Sequence, residues 1–164
     1  MKRGLCLLEN GDAARALWCF EAAREREPEN GPALRASAKA LHHLGREKEA
    51  FELIELTSQI RANRFDAWLQ RGFDLMDEEQ HEKACWCFEA ALEINPEDPT
   101  AWLMRGMMEQ VLDCCEKALY SLERSLDLDP QRATTWALVA EVMETLGRSD
   151  EAQLCRETAA KLGL

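Results

Sequence analysis

A pattern returns every 34 residues along this chain. Trp68 recurs as Trp102 and Trp136, Gly72 as Gly106 and then Ala140, and Pro96 as Pro130. Ala84 recurs forwards as Ala118 and Ala152, and backwards as Ala50 and Ala16. A fixed period of this length constrains the fold more than any local propensity. One such unit cannot bury its own apolar face, so copies must stack in a row.

The register divides the chain into five units: 1–30, 31–64, 65–98, 99–132 and 133–164. The apolar spacing within each unit is helical. Ala84, Cys85, Phe88, Ala91 and Leu92 share one helix face, and Ala16–Phe20–Ala23 and Ala118–Leu122–Ser125 keep the same spacing. Each unit therefore reads as two helices. Gly11, Gly45 and Gly147 mark the break between them in three units, with Glu79 and Asp113 in the other two. Pro28, Pro96 and Pro130 end second helices, because proline cannot continue a helix. The second unit carries Ala62 in that column, so its second helix is expected to run on further than the rest. The recurring alanines let paired helices approach, with Phe20, Ile54, Phe88 or Leu122 filling the space beside them. Gly72 and Gly106 serve the same end on first helices, where close packing offsets about 1 kcal/mol of lost helix propensity.

With 20 basic and 31 acidic residues the chain carries a net charge of −11. That disfavours a duplex nucleic-acid or anionic-membrane partner, since both need clustered Lys and Arg. The seven cysteines are odd in number and lack the spacing of a disulfide framework, and no secretory leader is evident. Reduced thiols in a cytoplasmic setting are expected. Cys85 and Cys87 point about 200° apart on a helix, so they cannot share a metal from one helix. Neither they nor the vicinal Cys114 and Cys115 suggest a metal site, and they read as small packing residues. With three histidines, no Gly-rich phosphate loop and no nucleophile motif, the chain is not expected to be an enzyme or to need a cofactor.

The chain resembles the tetratricopeptide repeat family. That pattern runs Trp, Gly, an aromatic, Ala, a second aromatic and Pro, and unit 65–98 supplies Trp68, Gly72, Leu75, Ala84, Phe88 and Pro96 in those places. Arg71 and Arg105 depart from it where Leu is usual, Leu75 and Glu109 where Tyr is preferred, and Arg156 where the last unit should hold an aromatic. The resemblance implies an all-α, right-handed solenoid of about five helix-turn-helix repeats, treated as a single domain over 1–164. Met1 falls about one turn inside its first helix and no polar capping helix follows the last unit. The chain is thus expected to be a segment of a longer array, or a short protein whose ends associate.

By the same resemblance, first helices line a concave face that takes a peptide or helix. The inward columns are Arg35 and Lys39 in the second unit, Leu69, Gln70, Phe73 and Met76 in the third, and Leu103, Met104, Met107 and Gln110 in the fourth. His42, Asp77, Val111, Glu141 and Glu144 extend them, making the groove basic at one end, apolar in the middle and acidic at the other. Family members that clamp a peptide carboxylate use cations where Thr100 and Met104 stand here, so half of that clamp is missing. A Met-rich apolar stripe instead suits the apolar side of a partner helix. Trp18 and Trp86 share an outward column and read as half-buried indoles or as a second contact surface. The expected function is a non-catalytic scaffold for a protein or peptide segment; the alternative is a homo-oligomer assembled through uncapped terminal repeats.

Overall fold

The helical periodicity is realised as nine α-helices and no strand among residues 1–163, the part described by the computed structural model. They are α1 (Lys2–Glu9), α2 (Ala13–Arg26), α3 (Gly31–His43), α4 (Glu47–Asp77), α5 (His81–Ile94), α6 (Pro99–Val111), α7 (Cys115–Leu128), α8 (Ala133–Thr145) and α9 (Ser149–Lys161).

Five reversals share one backbone device. The second residue after the helix takes a left-handed conformation, and its own amide and the next one return to carbonyls of the last turn. Gly147 N–H donates to Glu144 C=O at 3.0 Å and Arg148 N–H to Met143 C=O at 2.9 Å. Gln80 N–H to Leu75 C=O and Cys114 N–H to Glu109 C=O repeat the longer bond at 2.8 Å. Gly11, Gly45 and Gly147 occupy the left-handed site, and Glu79 (φ 58°) and Asp113 (φ 59°) occupy it in the other two hairpins. The side-chain-bearing residues adopt it at a local cost, because the motif leaves no other backbone path. Side-chain caps fix the starts of α3 and α6: Asn30 accepts from Ala33 N–H at 2.9 Å and Asp98 from Ala101 N–H at 2.6 Å.

The chain falls into two compact units, Met1–Asn63 and Arg64–Leu164, with their boundary inside α4. In the first, Leu17 and Phe20 of α2 pack with Ala36, Ala40 and Leu41 of α3 and Ala50 of α4. In the second, Leu75, Ala84, Cys87, Phe88 and Met108 form one cluster. Leu103, Leu119, Leu122, Val139, Val142 and Met143 contribute to another. Within that unit α5 packs on α6, α6 on α7, α7 on α8 and α8 on α9. Contacts therefore run between sequence neighbours, as stacking of repeats requires.

Glycine in the first helices has a steric cause. A Cβ on Gly72 would stand 2.5 Å from Phe88 Cε1, and one on Gly4 the same distance from Phe20 Cε1. On Gly106 it would meet Leu122 Cγ at 2.8 Å. Phe20, Phe88 and Leu122 are fully buried by this approach.

The third unit's start departs from the expected pattern. No reversal occurs near residue 64: α4 runs unbroken for 31 residues, about 46 Å at 1.5 Å per residue. Ala62 permits what Pro28, Pro96 and Pro130 forbid elsewhere. The tryptophan column records the consequence. Trp102 Nε1 donates to Pro96 C=O at 2.8 Å and Trp136 Nε1 to Pro130 C=O at 2.9 Å, each tying a first helix to the turn before it. Ala62 lies within α4, so no such turn precedes Trp68, which is 40% exposed. Ile54, expected to fill space beside the alanines like Phe20 and Phe88, is 54% exposed.

Candidate interaction surface

Three first-helix segments of the second unit, the later half of α4 together with α6 and α8, carry the columns expected to face inward. Leu69, Phe73 and Met76 from α4 meet Met104 and Met107 from α6 over the Phe88 cluster. Met104 and Met107 also reach the next cluster beside Leu138 of α8. The two methionines thus bridge neighbouring repeats, and all five side chains remain half-buried, each with one side in the core. Phe73 is held edge-to-face on Phe88, ring centroids 5.6 Å apart at 68°, a favoured aromatic geometry.

Polar groups frame this apolar strip. Gln110 of α6 donates to Glu141 of α8 at 3.3 Å, which places both inward columns side by side. Gln70 donates to Asp74 at 2.9 Å along α4. At the α8 end, Glu144 accepts from Arg156 at 2.9 Å and from Ser149 at 3.0 Å. The Arg156 guanidinium and then the Ser149 hydroxyl hold the Glu144 carboxyl below its usual range, so it stays charged. The surface is apolar along α4 and α6 and acidic along α8.

Leu103 does not belong to this surface. It is 6% exposed and sits in the core with Leu119 and Leu122. Here the half-turn is taken by Met104 and Met107.

Arg35 and Lys39 stand on α3 in the first unit, both exposed and one turn apart. They border a cavity of about 810 Å³ whose floor is Ala38, Ala50, Phe51 and Ile54, with His42, Glu47 and Lys48 on the rim.

A buried polar network accounts for two departures from the repeat pattern at once. Glu109 is 4% exposed, in a column that holds Leu41, Leu75 and Met143 elsewhere. Its carboxylate takes Arg105 Nε at 2.9 Å on one oxygen and the fully buried Ser121 hydroxyl at 2.6 Å on the other. Arg105 and Glu109, four residues apart on one helix face, compensate each other. Arg156, another of the departures, is paired with Glu144.

Trp18 and Trp86 are each 70% exposed, so neither indole is half-buried along its helix. All seven cysteines are free thiols. Cys155 is buried in the core with Met143, and burial pushes its thiol up. Among the described residues no group of three or more His, Cys, Asp or Glu side chains is placed to hold a metal, and no helix is long and apolar enough to cross a membrane.

Paired helices on a 34-residue period, closed by repeated left-handed caps and Gly-on-aromatic contacts, define an α-helical repeat protein. Two family models described as Tetratricopeptide repeat match residues 1–66 and 73–144, and the chain belongs to that family. No curated protein matches it in sequence. Among solved structures, that of MamA is similar with a TM-score of 0.60 at 18% identity, over 99% of this chain and 95% of that one. YrrB, described as a TPR protein with an unusual peptide-binding site, gives 0.59 at 19% identity, over 98% and 82%. The second TPR of Spaghetti (RPAP3), bound to the HSP90 peptide SRMEEVD, gives 0.60 at 20% identity, over 63% of this chain and 98% of that one. These likenesses carry the solenoid fold of stacked tetratricopeptide repeats.

Proposed function

We propose that the protein is a non-catalytic interaction scaffold whose ligand is an amphipathic helix or peptide laid across α4, α6 and α8 of the second unit. The observation that carries this reading is the half-buried strip of Leu69, Phe73, Met76, Met104 and Met107. Thioethers present a deformable apolar surface that accepts partners of varied shape. Two relatives of the same fold, YrrB and the Spaghetti repeat, are described with a peptide site or a bound peptide. Gln70 and Gln110 flank the strip and offer amide donors and acceptors to a ligand backbone. Glu141 and Glu144 favour a ligand with Lys or Arg beyond its apolar face. A carboxylate-terminated ligand fits Arg35 and Lys39 of the first unit better than this strip. Free thiols throughout support a reducing, cytoplasmic setting.

The six methionines make the test direct. A peptide selected from a random display library against the full chain is titrated into methyl-labelled protein. Shifts at Met76, Met104 and Met107, with Met1 and Met143 still, are the expected result. Met107→Asp should weaken that peptide about tenfold or more while far-ultraviolet circular dichroism stays unchanged. Shifts confined elsewhere, or affinity untouched by Met107→Asp, would refute the assignment.

A further inference from the structure

Two columns of each second helix face the next repeat, and in this fold they are hidden. Leu17 and Phe20 of α2 are 5% and 0% exposed, and Leu119 and Leu122 of α7 are 8% and 0%. Cys85 of α5 is half-buried and Phe88 fully buried. The same columns in α4 hold Phe51 at 67% and Ile54 at 54%. They form the open floor of the cavity bordered by Arg35, Lys39 and Lys48.

The matching defect lies one repeat further on. First helices cover the preceding repeat with a buried triple: Ala33, Ser37 and Ala40 in α3, and Thr135, Val139 and Val142 in α8. Ala101 and Met108 in α6 are buried likewise, with Arg105 between them. The third unit's triple is Ala67, Arg71 and Asp74, and all three are exposed. Both defects have one origin. Covering and covered stretches belong to one unbroken helix, α4, and two stretches of one continuous helix cannot pack on each other as a hairpin does.

From these two open faces we infer that a second copy of the chain completes the missing repeat contact by reciprocal exchange. The 65–77 stretch of one copy lies on Phe51 and Ile54 of the other, and the reverse contact closes the pair. The occupant is specified by register: the 65–77 stretch is the segment that the repeat pattern assigns to this floor. Two copies leave neither face uncovered, a closed two-fold arrangement. Charge agrees in balance: Asp66, Asp74 and Asp77 outnumber Arg71 in that stretch, and Arg35, Lys39 and Lys48 outnumber Glu47 and Glu52 around the cavity. Exchange of an identical element through an unbroken hinge is a low-cost route to a dimer, because the interface it forms is one the fold already encodes.

The experiment uses the full chain. Light scattering over a concentration series should give twice the 18.7 kDa chain mass. Ile54→Asp, at an already exposed position, should weaken self-association on the order of thirtyfold or more without loss of helicity. A benzophenone amino acid at position 54, in a mixture of isotopically light and heavy copies, should cross-link to the 65–77 stretch of the other copy. Ala62→Pro restores the proline column, breaks α4 and should return a monomer whose position 54 cross-links within its own chain. A monomer at every concentration, cross-links confined to one chain without the proline, or cross-links to another segment would each overturn the exchange.

Discussion

Removing the Glu109 carboxylate is the sharpest probe of how the fourth repeat holds together. Glu109→Ala leaves the Ser121 hydroxyl, fully buried in the native protein, without the acceptor it meets at 2.6 Å. It also leaves Arg105 without its partner at 2.9 Å. A hydrogen bond to a charged group contributes about 1.5–3 kcal/mol, and an orphaned buried hydroxyl costs about 1–3 kcal/mol. The Arg105 side chain is 21% exposed and regains part of its hydration, so its loss falls well short of that for a fully buried charge. The expected total is about 3 kcal/mol, a fall in Tm of roughly 6–12 °C for a chain of this size. Urea unfolding followed by circular dichroism measures it, with Ser121→Ala and the double variant completing a cycle. Coupling between Glu109 and Ser121 should reach about 1–2 kcal/mol. Glu109→Met, which installs the residue type that Met143 supplies in the next repeat, should cost less than Glu109→Ala. Its longer apolar side chain fills the site, although Ser121 stays unpaired. A single-variant loss below about 1 kcal/mol, or effects of the two sites that simply add, would refute the network.

Two further outcomes follow from the same packing. Phe88→Ala empties the space against Gly72 and should cost about 3–5 kcal/mol in the second unit, read by urea unfolding. The folded Glu144 carboxyl lies below its unfolded range, so the Arg156–Glu144 contact contributes above the unfolded carboxylate pKa and is lost as pH falls through the lower folded value. Arg156→Ala should bring the Glu144 pKa back up in an NMR titration; an unmoved value would refute the pairing.

Much of this molecule was legible in the 34-residue spacing alone. Helical pairs, the breaks marked at Gly11, Gly45, Glu79, Asp113 and Gly147, and the close packing allowed by Gly72 and Gly106 are local features of the repeat. Each is set within one repeat, so a single copy of the pattern suffices to read it. The apolar character of the columns that hold Met76, Met104 and Met107 is readable in the spacing, and the structure leaves these three side chains half-buried. Three features needed the tertiary structure. Leu103 belongs to the core, because neighbouring helices decide which side of a column is covered. The pairing of Arg105, Glu109 and Ser121 joins two helices, so no single-helix pattern reports it. Finally, Ala62 in a proline column predicted a longer helix, but its extension through residue 64 and the exposure of Phe51 and Ile54 appear only in three dimensions. A missing proline removes a barrier to helix continuation, and the competition between continuing and folding back is decided by packing against residues far from that position.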